Sequence, residues 1–177
     1  MKVVRASFPR NQSLAKNSTL EIVVQNAGQK TIPVISVTVK CGTQIGGSFS
    51  TATQDTNVAD PLRPQFVVNK LPTATARVNP PLDPAPLERS SANVDTYPLG
   101  PLGGGRTATF MWDVTAVRPG PYHLCWRVNA GLYGKAKAVP TSGGGPIAGV
   151  FQGEISNKAP KAIVSDDGTT VIESGGD

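Results

Sequence analysis

The stretch RTATFMWDVTAVRPGPYHLCWRV, residues 106–128, alternates on both sides of a turn. From Arg106 to Val114, the side chains of Ala108, Phe110, Trp112 and Val114 share one face of an extended chain. After the turn, Tyr122, Leu124, Trp126 and Val128 point one way, and His123, Cys125 and Arg127 the other. A period of two is the pleat of a β-strand, and large apolar residues on one face mark a sheet with that face in a core. Between the strands, RPGP sets Pro119 and Gly120 at the two central positions of a type II turn, which takes a fixed φ first and a positive φ second.

The same pattern runs upstream. In STLEIVVQN, Ser18 to Asn26, the residues Leu20, Ile22 and Val24 share a face. Ser18 and Glu21 have capping-box spacing, but the β-branched run Ile22-Val23-Val24 argues for a strand. Asn26-Ala27-Gly28 then breaks the run with residue types that tolerate positive φ, and a hairpin turn is expected there. TIPVISVTVKC resumes as a strand with Ile35, Val37, Val39 and Cys41 in phase; Pro33 stands near its start, where a missing N–H does least harm. KVVRASFP reads as a first strand closed by Pro9, and GPIAGVFQGEIS, Gly145 to Ser156, as a last core strand with Phe151 and Ile155 inward. PKAIVSDDGTTVIES is expected to form a terminal hairpin around Asp167-Gly168.

Composition supports an all-β chain. Of 177 residues, 38% are hydrophobic, with 19 Gly and 16 Pro, which damage helix interiors. The length suits one domain with its own core. The expected architecture is an antiparallel β-sandwich of about seven to nine strands over residues 1–160, with 161–177 as a C-terminal hairpin or flexible tail. Between residues 42 and 96 the alternation dissolves, and seven prolines fall from Pro61 to Pro86. This stretch reads as a long Pro-rich insertion, partly ordered, with one strand-like island at Pro64–Leu71.

Reactive constellations are not evident. The net charge is +5, but Lys and Arg are scattered singly, without the clustered footprint of a nucleic-acid binder. No apolar run approaches the ~18 residues of a membrane span. The two cysteines and single histidine lack zinc-finger spacing. His123 would be the only base for a Ser-His-Asp set, and no G-x-S-x-G elbow accompanies it. SDDGTT, from Ser165, lacks the spaced ligands and distal Glu of a calcium loop. Gly103–Gly105 and Gly143–Gly145 precede no helix and read as flexible connections, not phosphate cradles. Asn11 and Asn17 sit in glycosylation sequons. No catalytic residue, cofactor or metal is expected. Carried along the strand, the phase sets Cys41 and Cys125 on opposite faces, which favours two free thiols; a bulge in either strand would reverse this and permit a disulfide.

Three of these features occur together in one known group. Val24-Gln25-Asn26-Ala27-Gly28, Leu102 through Trp112, and Pro119-Gly120-Pro121-Tyr122 resemble a V-x-N-x-G hairpin, a Leu-to-Trp strand and a P-G-x-Y corner. Residues 15–41 and 97–131 thereby resemble the bacterial cell-adhesion-related (CARDB-like) domains and related immunoglobulin-like surface modules. The resemblance implies an immunoglobulin-like sandwich, extracellular or envelope-attached, used in adhesion, spacing or assembly, with no activity of its own. Tyr122 is then expected at a tyrosine corner, with Trp112 and Trp126 in the core. An exported protein would need a signal that this chain does not display.

The expected partners are proteins, including further copies of the chain through an N-terminal strand added to a neighbour's edge. The insertion, with Arg63 and Phe66, is the expected contact surface, together with Tyr97 and Tyr133. The alternative is a carbohydrate-binding module using Tyr97 and Tyr133, the aromatics that fall in loops.

Overall fold

Large apolar residues at every second position of residues 106–128 fix two strands in different sheets. The computed structural model describes residues 1–39, 49–50, 64–70, 72, 96–131, 140, 145–158, 161–164 and 171–174. Among them the chain forms only strands: β1 (Lys2–Ser7), β2 (Asn11–Ser13), β3 (Asn17–Gln25), β4 (Ile35–Val39), β5 (Phe49–Ser50), β6 (Phe66–Lys70), β7 (Thr96–Pro98), β8 (Thr107–Ala116), β9 (Gly120–Ala130), β10 (Ala148–Ser156), β11 (Lys161–Val164) and β12 (Val171–Ser174).

One five-stranded sheet runs β1-β3-β8-β6-β5 and the other β2-β10-β9-β4-β7, while β11 and β12 pair with each other. Pairing is antiparallel except for β2 with β10 and β5 with β6. The first strand crosses from one sheet to the other as it becomes β2, and consecutive strands β3/β4 and β8/β9 lie in opposite sheets. This is an immunoglobulin-like β-sandwich.

The inward rows meet between the sheets. Leu20, Ile22, Val24, Phe110, Trp112 and Val114 from one sheet, and Ile35, Val37, Leu124 and Val128 from the other, are buried. Each fully buried side chain of this size contributes about 1.5–3 kcal/mol. Part of the stretch expected as an insertion is sheet: Phe66 is wholly buried on β6, and Gln65 ties the sheets together. Its carbonyl accepts from Val117 N–H at 2.9 Å, and its Nε2 donates to Pro121 O at 2.8 Å. The Asp167-Gly168 turn lies outside the described residues.

The Asn26 corner is not the expected hairpin. It carries the chain from β3 in one sheet to β4 in the other, and neither Asn26 nor Gly28 has a positive φ. Asn26 is chosen for its side chain. Buried to 3% exposure, its Nδ2 donates to Lys30 O at 2.8 Å and Leu102 O at 3.0 Å, and its Oδ1 accepts from Gly28 N–H at 3.1 Å. Its backbone N–H donates to Arg106 O, and its carbonyl accepts from Gly105 N–H. Gly103–Gly105 is accordingly no loose connection. A Cβ on Gly104 would stand 2.4 Å from Gln29 O, so only glycine lets the two loops touch.

Replacing Asn26 by Ala removes the side-chain donor to Lys30 O, the second donor to Leu102 O beside Ile32 N–H, and the acceptor for Gly28 N–H. Asn26→Ala is expected to lose about 2–4 kcal/mol, read as a lower urea midpoint at unchanged slope. Gly104→Val is expected to destabilise comparably by forcing the loops apart.

Candidate interaction surface

At the opposite end of the sandwich the chain kinks between β1 and β2. Phe8 inserts there, packing edge-on against Phe66 (centroids 5.2 Å) and Tyr122 (5.6 Å). The Tyr122 hydroxyl donates to Pro9 O, and Gln12 Nε2 donates to the same carbonyl at 3.1 Å. Tyr122 follows Gly120, whose φ of +112° supplies the positive-φ turn position expected from the sequence. The tyrosine does not reach back along its own strand connection; it clamps the first strand, across 113 positions of sequence.

That clamp decides where β2 begins. The next carbonyl, Arg10 O, accepts from Glu154 N–H at 2.8 Å, over a Gly153 that could not carry a Cβ without meeting Arg10 O at 1.9 Å. From there β2 covers β10 only at Glu154, Ile155 and Ser156. The rest of β10 pairs with β9 alone among the described residues. Since Glu154 N–H points away from β9, the alternation of a strand sends the N–H and C=O of Ala148, Val150 and Gln152 to the same side. Among the described residues, Ala148–Gln152 is therefore an open edge. Its outward side chains are Ala148, Gln152 and Val150, the last 51% exposed. Their neighbours on β9 are Arg127, His123 and Cys125 respectively.

The edges at β1 and β7 are guarded. β1 has a register break between Val3 and Arg5 and carries Lys2 and Arg5. β7 is three residues long and ends in Pro98. Bulges, charges, proline and shortness are the usual devices against strand addition, and Ala148–Gln152 has none of them. The outer face of the β1-containing sheet is occupied by its own polar pairs: Arg5 with Glu21 (3.0 Å), Thr19 with Asp113 (3.3 Å), and Asn69 and Thr115 with Asn17.

The sequence-predicted residues fall as follows. Trp112 is fully buried, and Trp126 is 7% exposed with its indole over Gly149. Pro119 is exposed in the β8–β9 turn. Phe66 and Tyr97 are corrections: neither is available for contact, because Phe66 is core and Tyr97 is buried edge-on against Trp112 at 5.4 Å. Alternation was lost around them in sequence because each strand is short. Arg63 and Tyr133 lie outside the described residues. The N-terminal strand, expected to add to a neighbour, pairs with β3 within its own chain. His123 stands exposed on the outward face of β9. Asn11 and Asn17 are exposed.

Cys125 is disulfide-bonded, which corrects the expectation of free thiols. The chain has one other cysteine, Cys41, which lies outside the described residues. The expectation carried the β4 alternation two residues beyond Val39, and Val39↔Trp126 is the last described pair of that ladder. The open edge was missed altogether. Its only sequence signal is the uncharged run AGVFQG, which reads like any core strand until its neighbours are known.

Among the described residues, no group of three or more His, Cys, Asp or Glu is placed to hold a metal ion, and no helix is long and apolar enough to cross a membrane. The chain matches no protein-family model and no curated protein. Among solved structures it is similar to the CARDB domain of a Pyrococcus furiosus protein, solved in complex with di-metal ions, at 10% identity and a TM-score of 0.46, covering 86% of this chain and 90% of that one. It is also similar to Escherichia coli alpha-2-macroglobulin in its native conformation, at 12% identity and a TM-score of 0.39. There the match covers 86% of this chain but only 6% of the other.

Burial pushes the Tyr122 hydroxyl above its ordinary 10.0, while the Gln12 hydrogen bond and the Arg10 charge pull it back. The folded state thus holds the phenolic proton more tightly than the unfolded chain does. That contribution is whole below the unfolded value and is lost as pH rises through the folded one. Tyr122→Phe is expected to cost about 1–2 kcal/mol at neutral pH and to flatten the alkaline loss of stability above about pH 10. Urea midpoints measured across that range check both.

Proposed function

We propose that this chain is a non-enzymatic, extracytoplasmic β-sandwich module that works through protein contacts, in adhesion, spacing or assembly. The observation that supports this best is the disulfide at Cys125 in a sandwich whose aromatic side chains, where described, pack in or against its core. Disulfides persist in oxidising compartments outside the cytoplasm. The carbohydrate-binding alternative loses one of its two aromatics, since Tyr97 faces Trp112.

The compartment and the staple are tested together. In intact cells of the natural host, a membrane-impermeant amine label is expected to reach the chain, and a maleimide to find no thiol before reduction. Peptide mapping without reductant is expected to join the Cys41 and Cys125 peptides. A Cys41→Ser/Cys125→Ser variant is expected to lose about 2–5 kcal/mol of stability. A chain found reduced and shielded inside the cytoplasm overturns the reading.

A further inference from the structure

We infer that the open edge of β10 joins a second copy of this chain, antiparallel and about a two-fold axis through Val150. The inference deepens the proposed assembly role by naming the partner, and rests on that reading only in requiring the edge to be free in the protein's own surroundings.

The window selects its occupant by length and register. It opens at Ala148, just after Pro146, which has no N–H to offer a ladder, and closes at Glu154, where Arg10 O takes the edge N–H. A strand laid antiparallel with Val150 against Val150 sets Ala148 opposite the other copy's Gln152 at both ends. The residues that point their N–H and C=O outward then all meet one another, so each exchanges both backbone bonds with its opposite number. Sliding the register by two residues drives one outward residue against the position β2 already holds, and an odd slide sets outward groups against inward ones. The copy that fits is therefore one whose free run has the same length and the same blocked ends.

Side chains agree with this. The two exposed Val150 side chains meet each other, and no charge lies within the window. Arg127 flanks the Ala148 end and Glu154 the Gln152 end, so antiparallel pairing brings the positive end of one copy to the negative end of the other. A two-fold contact of this kind closes on itself and yields a dimer with a continuous sheet through both molecules. A single strand pair buries less than the ~1,000 Å² of a stable interface, so the dimer is weak and concentration-dependent.

Sedimentation velocity on the disulfide-intact chain, from about 10 µM to about 1 mM, tests the inference, since that range spans dissociation constants of weak complexes. A monomer–dimer equilibrium is expected. Val150→Lys and Ala148→Lys, each placing a charge on the edge, are expected to weaken it by about tenfold or more. Met111→Lys, at a position also exposed but on the outer face of the other sheet, should leave it unchanged. In the wild type, the amide hydrogens of Ala148, Val150 and Gln152 should gain protection from exchange as concentration rises. A monomer throughout, a dimer indifferent to both edge variants, growth beyond the dimer, or edge amides that stay unprotected each overturns the inference. The labelling experiment above can succeed while this one fails, so the two failures are distinguishable.

Discussion

Asn26 is a buried amide with every polar atom engaged, and the closure of the sandwich depends on it. Two loops must meet where β3 leaves one sheet and where the chain enters β8: residues 26–30 and 102–106. Among the described residues, backbone pairing around them is limited to the Ile32↔Leu102 bridge and single loop hydrogen bonds. The Asn26 carboxamide takes the carbonyls of Lys30 and Leu102 at once and returns an acceptor to Gly28. Without it, Lys30 O and Gly28 N–H would lose their side-chain partner next to the apolar burial, where Val24 and Ala108 pair across β3 and β8. The contact also sets register. It holds Gln25 opposite Thr107, and a one-residue slip from there would turn Leu20, Ile22, Phe110 and Trp112 out of the core.

The far end is closed by different chemistry. There the aromatic rings of Phe8, Phe66 and Tyr122 meet edge-on, one from the kink and one from each sheet. The Tyr122 hydroxyl and Gln12 both serve Pro9 O, and Gln12 in turn accepts from Ser18 Oγ at 2.8 Å. The first strand can therefore cross between sheets without leaving buried groups unsatisfied. One end uses a polar hub inside loops, and the other uses an aromatic cluster with a polar rim. The long β3–β8 ladder joins them.

The strands with strict alternation were legible because a sheet with one wet face writes itself into every second residue. Ala108, Phe110, Trp112 and Val114, and then Tyr122, Leu124, Trp126 and Val128, are inward as the period demanded. Short strands wrote no such record. Thr96–Pro98 gives three residues, too few for a period, so Tyr97 read as a loop aromatic. Asn26 was legible as a corner but misread in mechanism, since the sequence shows an Asn near a Gly equally well for a positive-φ turn and for a hydrogen-bond hub. The disulfide was obscured because Cys41 lies beyond Val39↔Trp126, the last described pair of its ladder. The open edge was not legible in principle. Whether AGVFQG is covered depends on where β2 starts, which depends on Tyr122 reaching Pro9.

That dependence links the fold to what its surface can do. An exposed strand edge recruits another strand only if it is already extended and rigid, because ordering it on contact would consume the small energy of a few backbone bonds. β10 is held extended along its whole length by β9, from Ala148↔Arg127 to Ile155↔Gly120. β9 is held in turn by β4 and by the disulfide at Cys125, on the strand position opposite Val150. The edge is thus braced on its inner side and free on its outer side. The Pro9–Tyr122 clamp keeps β2 from extending along it. Had the kink fallen four residues earlier, β2 would have had the length to cover Val150. The position of one proline carbonyl therefore decides how much of β10 is covered by β2.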